Sequence, residues 1–252
     1  MDLAINGYGR MGKLIESMAQ QAGHTVVAVI DPVSEDEAVT AREVSPQALH
    51  GAQVVIDFSI PSAAVDTIRK CAECGVSVVM GTTGWYEQMD MVHDIIQKSS
   101  IGLIWSGNFS LGVNILFSLV RSAAKMMNQF SEYDCMVHEY HHRFKADSPS
   151  GTAAMIGSVL LEELDRKKRV VTDSLSRPIE EAELHVSSTR GGAIPGTHTV
   201  IFDSPVDSLE ITHRARNREG FAVGAVKAAE WIADRTGMYS IDDMMAALLG
   251  GE

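Results

Sequence analysis

At 252 residues and 45% hydrophobic composition, the chain has enough apolar material for one large domain or two moderate ones. Its 33 acidic residues outnumber 21 basic ones, and this formal net charge of −12 repels nucleic acid and anionic membrane surfaces, setting both aside as partners. Three cysteines, Cys71, Cys74 and Cys135, cannot close a disulfide framework in so long a chain, so a reducing, cytoplasmic setting is expected.

The opening residues carry no basic n-region, and no apolar run approaches the ~20 residues of a membrane span. Short Val/Ile-rich runs at Leu3–Asn6, Thr25–Asp31, Gln53–Asp57, Val76–Met80 and Gly102–Trp105 predict strands buried on both faces. Between them, apolar spacing near 3.6 predicts helices over Met11–Ala22, Ala63–Cys74 and Tyr86–Lys98. That alternation predicts a Rossmann-type, doubly wound parallel sheet. Beyond Phe109 the pattern changes. A helix is expected over Val113–Met127, a strand over Tyr133–Glu139, a polar segment from His141 to Gly151 and a helix over Thr152–Lys168. Three further strands, Glu183–Thr189, Thr197–Phe202 and Ser208–Thr212, complete an α+β unit with an open, largely antiparallel or mixed sheet. Helices over Gly220–Thr236 and Ile241–Leu249 return to the first unit. The expected division is 1–109 with 218–252 as a dinucleotide-binding domain and 110–217 as a substrate domain.

Gly7-Tyr8-Gly9-Arg10-Met11-Gly12 falls where the first strand meets a helix, the context a dinucleotide fingerprint needs. Glycine there permits a tight turn, a close approach to pyrophosphate and packing of helix on strand, and the helix N-terminus attracts phosphate. Asp31, at the end of the second strand, is placed to accept ribose hydroxyls. The bland readings are packing glycines and a solvated strand-end acid. Pro32-Val33-Ser34 follows instead of an arginine, which favours NADH mildly, although a cation from elsewhere would admit NADPH. Gly81-Thr82-Thr83 and Ser106-Gly107-Asn108-Phe109 lie at the carboxyl edge of the same expected sheet, where ligands of open α/β sheets bind.

The densest chemistry lies in His138–Thr152. Lys145 and the imidazoles of His141 and His142 supply positive charge, and Gly151-Thr152 at a helix start supply oriented N–H donors, so the second reactant is expected to be a small anion carrying carboxylates. Hydride delivery to a carbon conjugated with C=N or C=C leaves electron density that needs a proton, and histidine holds one near neutral pH. Glycine and proline around the cluster oppose a helix that would present the histidines together, so no metal is expected.

At these residues the chain resembles the 4-hydroxy-tetrahydrodipicolinate reductase (dihydrodipicolinate reductase) family. The matching pieces are Gly7–Gly12, Asp57-Phe58-Ser59, Gly81–Gly84, Asn108–Asn114, Glu139–Ala153, Gly196–Val200 and Leu209–Ala215. The Glu-x-His-His-x-x-Lys-x-Asp-x-Pro-Ser-Gly-Thr-Ala run is the most specific of them. The resemblance implies NADH- or NADPH-dependent reduction of 4-hydroxy-tetrahydrodipicolinate, with loss of water, in diaminopimelate and lysine biosynthesis. It implies His141 as proton donor and acceptor, and Lys145 as a second proton donor that also holds substrate. His142, Gly151 and Thr152 would bind substrate carboxylates. Cofactor contacts carry over to Gly7–Gly12, Asp31, Gly81–Thr83 and Ser106–Phe109, with Arg218 and Phe221 as further candidates. A homotetramer built through the sheet of the substrate domain is also implied. Ser148 stands where the family usually has alanine, and Ser106-Gly107 where it often has Ala-Pro or Ala-Ala. Two competing expectations are another two-domain Rossmann dehydrogenase, which would share only Gly7–Gly12, and a non-catalytic NAD(H)-sensing module.

Overall fold

The computed structural model describes residues 1–250, so the last two residues of the 218–252 segment lie outside the described residues. In chain order the elements are β1 (Asp2–Asn6), α1 (Arg10–Gln21), β2 (Thr25–Ile30), β3 (Val54–Asp57), α2 (Pro61–Cys74), β4 (Ser77–Met80), α3 (Met89–Gln97) after a 3-10 turn, and β5 (Gly102–Trp105). There follow α4 (Leu111–Met127), β6 (Asp134–His141), α5 (Gly151–Glu163), β7 (Arg169–Val171), β8 (Glu183–Arg190), β9 (Thr197–Asp203), β10 (Ser208–Arg214), α6 (Glu219–Ile232), β11 (Gly237–Ser240) and α7 (Ile241–Leu249). They form two compact units, Met1–Leu111 with the chain from Glu219 onward, and Gly112–Arg218.

In the first unit a six-stranded sheet has the order β11-β5-β4-β3-β1-β2, with parallel pairing throughout. Strand residues alternate between its faces. Leu3, Ile5, Val54, Ile56, Val79 and Ile104 join a core with residues of α1, α6 and α7, whereas Ala4, Val55, Val78, Met80 and Leu103 join one with α2 and α3. Burial on both sides explains why these strands read as unbroken apolar runs. The sixth strand, β11, was not expected: Gly-Met-Tyr-Ser is short, half-buried at every position and lacks the Val/Ile signature, yet it pairs with β5 from Gly237 to Ser240. A cysteine pair, Cys71 and Cys74, lies within or at the end of α2, and all three cysteines are free.

The second unit carries a five-stranded sheet of order β10-β9-β6-β8-β7. Its β10-β9 and β9-β6 pairs are antiparallel, but β6-β8 and β8-β7 are parallel, so the sheet is mixed rather than largely antiparallel. The reason is α5, which carries the chain back along the sheet after β6 and so returns the next strands in the same direction. Helix α5 ends at Glu163, short of the expected Lys168, because Leu164 takes an extended conformation and Arg169–Val171 is drawn into the sheet as β7. One sheet face is covered by α4 and α5 through Leu116, Val120, Ile156 and Leu160 packed on Val137, Val186 and Phe202. Strand β6 runs two residues beyond its expected end and therefore includes His141.

Candidate functional site

In the first unit the three fingerprint glycines do three different things. Gly7, at φ +91°, donates its N–H to the Ile30 carbonyl at 2.9 Å, and a Cβ there would lie 2.4 Å from the Phe58 carbonyl oxygen. A Cβ on Gly12 would meet the Gly7 carbonyl oxygen at 2.2 Å, so only glycine lets α1 approach β1 this closely. Beside Gly9 the space is open, as an approaching phosphate requires. The first turn of α1 has neither a side-chain cap nor an acidic residue, which leaves its N–H groups to an anion. Tyr8 is buried with its hydroxyl on Glu16, Met11 is half-buried, and Arg10 is exposed at the helix start.

Asp31 is buried, and its carboxylate binds the loops around it: Oδ2 accepts from the Tyr8 N–H at 2.7 Å, while Oδ1 accepts from the Val33 and Ser34 N–H groups at 2.9 and 2.8 Å. Burial pushes this carboxyl up, but the three backbone donors and Arg42 outweigh it and hold it below the ordinary carboxylate range. One acceptor position of Oδ2 remains for a hydroxyl. Arg42 donates to the Ser34 carbonyl at 2.5 Å. A cation supplied from further along the chain therefore stands at the loop after Asp31, the circumstance under which NADPH is admitted beside NADH.

Beneath the strand-end loop Gly81–Thr83 lies Asp57. This buried carboxylate accepts from Thr82 Oγ1 at 2.6 Å, Asn6 Nδ2 at 2.5 Å and Ser59 Oγ at 3.0 Å. Thr82 is thus turned inward, whereas Thr83 and Gly107 are exposed neighbours, with Thr83 Cγ2 3.5 Å from where a Gly107 Cβ would stand. A Cβ on Gly81 would strike the Phe58 ring at 2.3 Å. Ser106 binds its own loop, donating to the Asn108 carbonyl and accepting the Asn108 N–H, both at 2.9 Å. Its hydroxyl is therefore engaged within the turn. Phe109 is buried against Phe58, Phe221 is half-buried in the first turn of α6, and Arg218 is exposed one residue before it.

The second unit gathers its candidate groups at the end of β6. Alternation puts Glu139 and His141 on the same side of the strand as Cys135 and Val137, facing α5, and puts His138 and Tyr140 on the other side. Cross-strand register sets His141 beside Arg190 of β8 and Glu139 beside His198 of β9. Glu139 is fully buried. Its carboxylate accepts both terminal Arg190 nitrogens, at 2.7 and 2.9 Å, the Ser150 N–H at 3.1 Å, and Nδ1 of His141. Burial would raise this carboxyl, but Arg190, His141 and the Ser150 N–H together bring it down to about 2. Ser150 also caps α5, accepting from the Ala153 N–H at 3.2 Å, and its hydroxyl meets His198 Nε2 at 3.0 Å.

Beyond His141 the chain turns, with the His142 N–H on the Ile194 carbonyl at 2.8 Å and the Lys145 N–H on the His142 carbonyl at 3.1 Å. The His142 Nδ1 is buried without a hydrogen-bond partner among the described residues. Lys145 pairs with Asp147 at 2.7 Å. Gly151 and Thr152 open α5, Gly151 exposed with nothing beside the place of its Cβ. His141, His142, Lys145, Gly151 and Thr152 thus share one unit and the stretch from β6 to α5. Glu139, Arg190, Ser150 and His198 were assigned no role from sequence. Glu139 and His141 at i and i+2 would have pointed to a shared strand face had the strand been extended past Glu139. Arg190, 51 residues away from Glu139 in the chain, had no local signal.

Glu139, His141 and His198 bring ligand-type atoms within 4.8 Å of one another. The guanidinium of Arg190 already neutralises Glu139, so a metal ion would meet a fixed positive charge, and protons are the better-fitting occupants.

Two family models match, "Dihydrodipicolinate reductase, N-terminus" over residues 1–109 and "Dihydrodipicolinate reductase, C-terminus" over residues 112–245. The chain is 38% identical over 248 residues to a 4-hydroxy-tetrahydrodipicolinate reductase of Christiangramia forsetii, covering 98% of this chain and 99% of that one. It is also 38% identical to the enzyme of that name from Archaeoglobus fulgidus, covering 97% and 100%. Among solved structures, a dipicolinate-bound dihydrodipicolinate reductase from Paenisporosarcina matches with a TM-score of 0.79 at 19% identity, covering 96% and 98%, a likeness of fold. No helix among the described residues is long and apolar enough to cross a membrane.

Proposed function

The chain belongs to the dihydrodipicolinate reductase family, and on that premise we propose how its own residues divide the reduction of 4-hydroxy-tetrahydrodipicolinate to tetrahydrodipicolinate by NAD(P)H, a step of diaminopimelate and lysine biosynthesis. The open backbone at Gly9, the uncapped start of α1 and the remaining acceptor position of Asp31 fit a dinucleotide. When bound, NAD(P)H supplies the hydride. Gly7–Gly12 hold the pyrophosphate, Asp31 a ribose hydroxyl, and the Gly81–Thr83 and Ser106–Phe109 loops the nicotinamide half; Phe221 and Arg218 are further cofactor contacts. Thr82 and Ser106 contribute backbone groups, since their hydroxyls are engaged internally.

His142 and the Gly151 and Thr152 N–H groups at the start of α5 bind the carboxylates of a small dicarboxylate. Lys145, released from Asp147, pairs with one of them and serves as a second proton donor. His141 gives the proton that complements hydride addition to the conjugated C=N/C=C system, and loss of water accompanies the reduction. The observation that carries this reading is the buried His141 ring, whose Nδ1 is engaged by Glu139 while Nε2 makes no hydrogen bond among the described residues.

The test is the absorbance of NADH, and separately of NADPH, when the protein meets the condensation product of pyruvate and aspartate semialdehyde. Rapid oxidation is expected, and His141→Gln is expected to lower kcat by about 10²- to 10⁴-fold with cofactor affinity retained. No oxidation with either cofactor, despite tight NADH binding, would sink the assignment. The same reading includes a homotetramer in the cytoplasm. Met136, Tyr140 and Leu209, each more than a third exposed on the sheet of the second unit, support the association, and three free cysteines support the compartment.

A further inference from the structure

Every acceptor position of the Glu139 carboxylate meets a donor: Oε1 takes Arg190 Nη2 and the Ser150 N–H, and Oε2 takes Arg190 Nη1 and the ring nitrogen of His141. An ionised carboxylate can only accept, so the hydrogen on this side of the imidazole must sit on Nδ1. The other nitrogen, Nε2, faces the backbone of Gly196, where a Cβ would stand 2.9 Å away. Absence of a side chain at Gly196 is therefore what leaves Nε2 uncovered.

Arg190 cannot swing away easily, because the Nη2 that binds Glu139 also donates to the Asp147 carbonyl at 2.5 Å. The carboxylate is consequently fixed from three sides, by β8 through Arg190, by the α5 cap through Ser150, and by its own strand. No role follows for Glu139 in touching substrate, since it is fully buried.

We propose that Glu139, clamped by Arg190, is a positioning residue that fixes the His141 ring in its Nδ1–H tautomer and leaves Nε2 as the single nitrogen that exchanges a proton with substrate. This rests on the reading of His141 as the proton donor. Glutamine at position 139 has one oxygen and one NH2. Its oxygen is claimed by Arg190 Nη2 and Ser150, so the NH2 turns toward His141, Nδ1 becomes an acceptor and the hydrogen of the neutral ring moves to Nε2. Loss of the adjacent negative charge also disfavours the imidazolium. The charged or titratable groups facing the pair are Arg190 from β8, His198 from β9, and Lys145 and His213, both within the electrostatic reach of His198.

The decisive measurement is long-range proton–nitrogen NMR of the imidazoles in the unaltered protein at pH 8, with His141 assigned by its absence in His141→Gln. A hydrogen on Nδ1 of His141 is expected; a ring with Nδ1 bare and its hydrogen on Nε2 overturns the proposal without needing any variant to fold. Glu139→Gln is expected to lower kcat about a hundredfold, to leave the KM for NADH unchanged, and to move the basic limb of the kcat profile to lower pH. A folded Glu139→Gln protein with unaltered kcat and pH profile also overturns it. Should that variant fold poorly with Arg190 left unpaired, Glu139→Gln combined with Arg190→Met removes both charges and is expected to give the same loss. Full activity of His141→Gln would instead defeat the assignment of the proton donor, while the ring's tautomer would still decide the positioning.

Discussion

Around His141, side chains act through one another over distances that local sequence does not encode. His198 is buried against His141, with ring centroids 5.2 Å apart, and touches Ser150. Burial first, and then the charge of His141, push its imidazole down from 6.5 to about 4. Between those values the unfolded chain binds a proton that the folded one refuses, so stability present above pH 6.5 is lost progressively as the pH falls to about 4. Thermal unfolding midpoints measured across this window are expected to drop with pH, and less steeply in His198→Asn. Parallel curves for the two proteins would show that another group dominates.

Helix α6 illustrates how an element is seated by what a residue lacks. Its buried face is Ala222, Ala225, Ala228 and Ala229, and a Cβ on Gly224 would stand 1.7 Å from the Phe109 carbonyl oxygen. That contact is backbone against helix, with no flexible side chain to yield. Gly224→Ala is therefore expected to push α6 away from the Phe109 turn and destabilise the protein by about 1–3 kcal/mol, despite alanine's better helix propensity. Urea denaturation would detect it, and a variant as stable as the parent would mean that α6 can shift at no cost. The same change should weaken cofactor binding, since the turn it displaces is one of the expected nicotinamide loops.

At the scale of the molecule, the second unit covers one face of its sheet with α4 and α5 and leaves Met136 and Tyr140 of β6 on the other. A sheet face carrying such residues fits a second copy of the same face across a two-fold axis, as a tetramer through this sheet requires. Sedimentation equilibrium is expected to give about four times the 27.3 kDa chain mass. Tyr140→Asp should shift the distribution toward smaller species while leaving His141 in place on the opposite side of the strand. A monomeric parent protein would contradict the proposed assembly.

Much of the fold was legible because it depends on short-range pattern. Unbroken apolar runs mark β1, β3 and β4 as strands buried on both faces, the glycine triplet marks the turn into α1, and the Glu139–Ala153 run marks the family. By itself the sequence determined the two-unit alternation, the glycine turn into α1 and the position of the segment rich in histidine and lysine. What only tertiary structure decided were contacts between residues remote in the chain: β11 on the edge of β5, the parallel half of the second sheet, Arg42 at the Asp31 loop, and Arg190 on Glu139. Pattern reports which face of an element is apolar. It carries no record of which distant donor will lie within 3 Å of a buried carboxylate, because strand register sets that distance and register is fixed only when the whole sheet assembles.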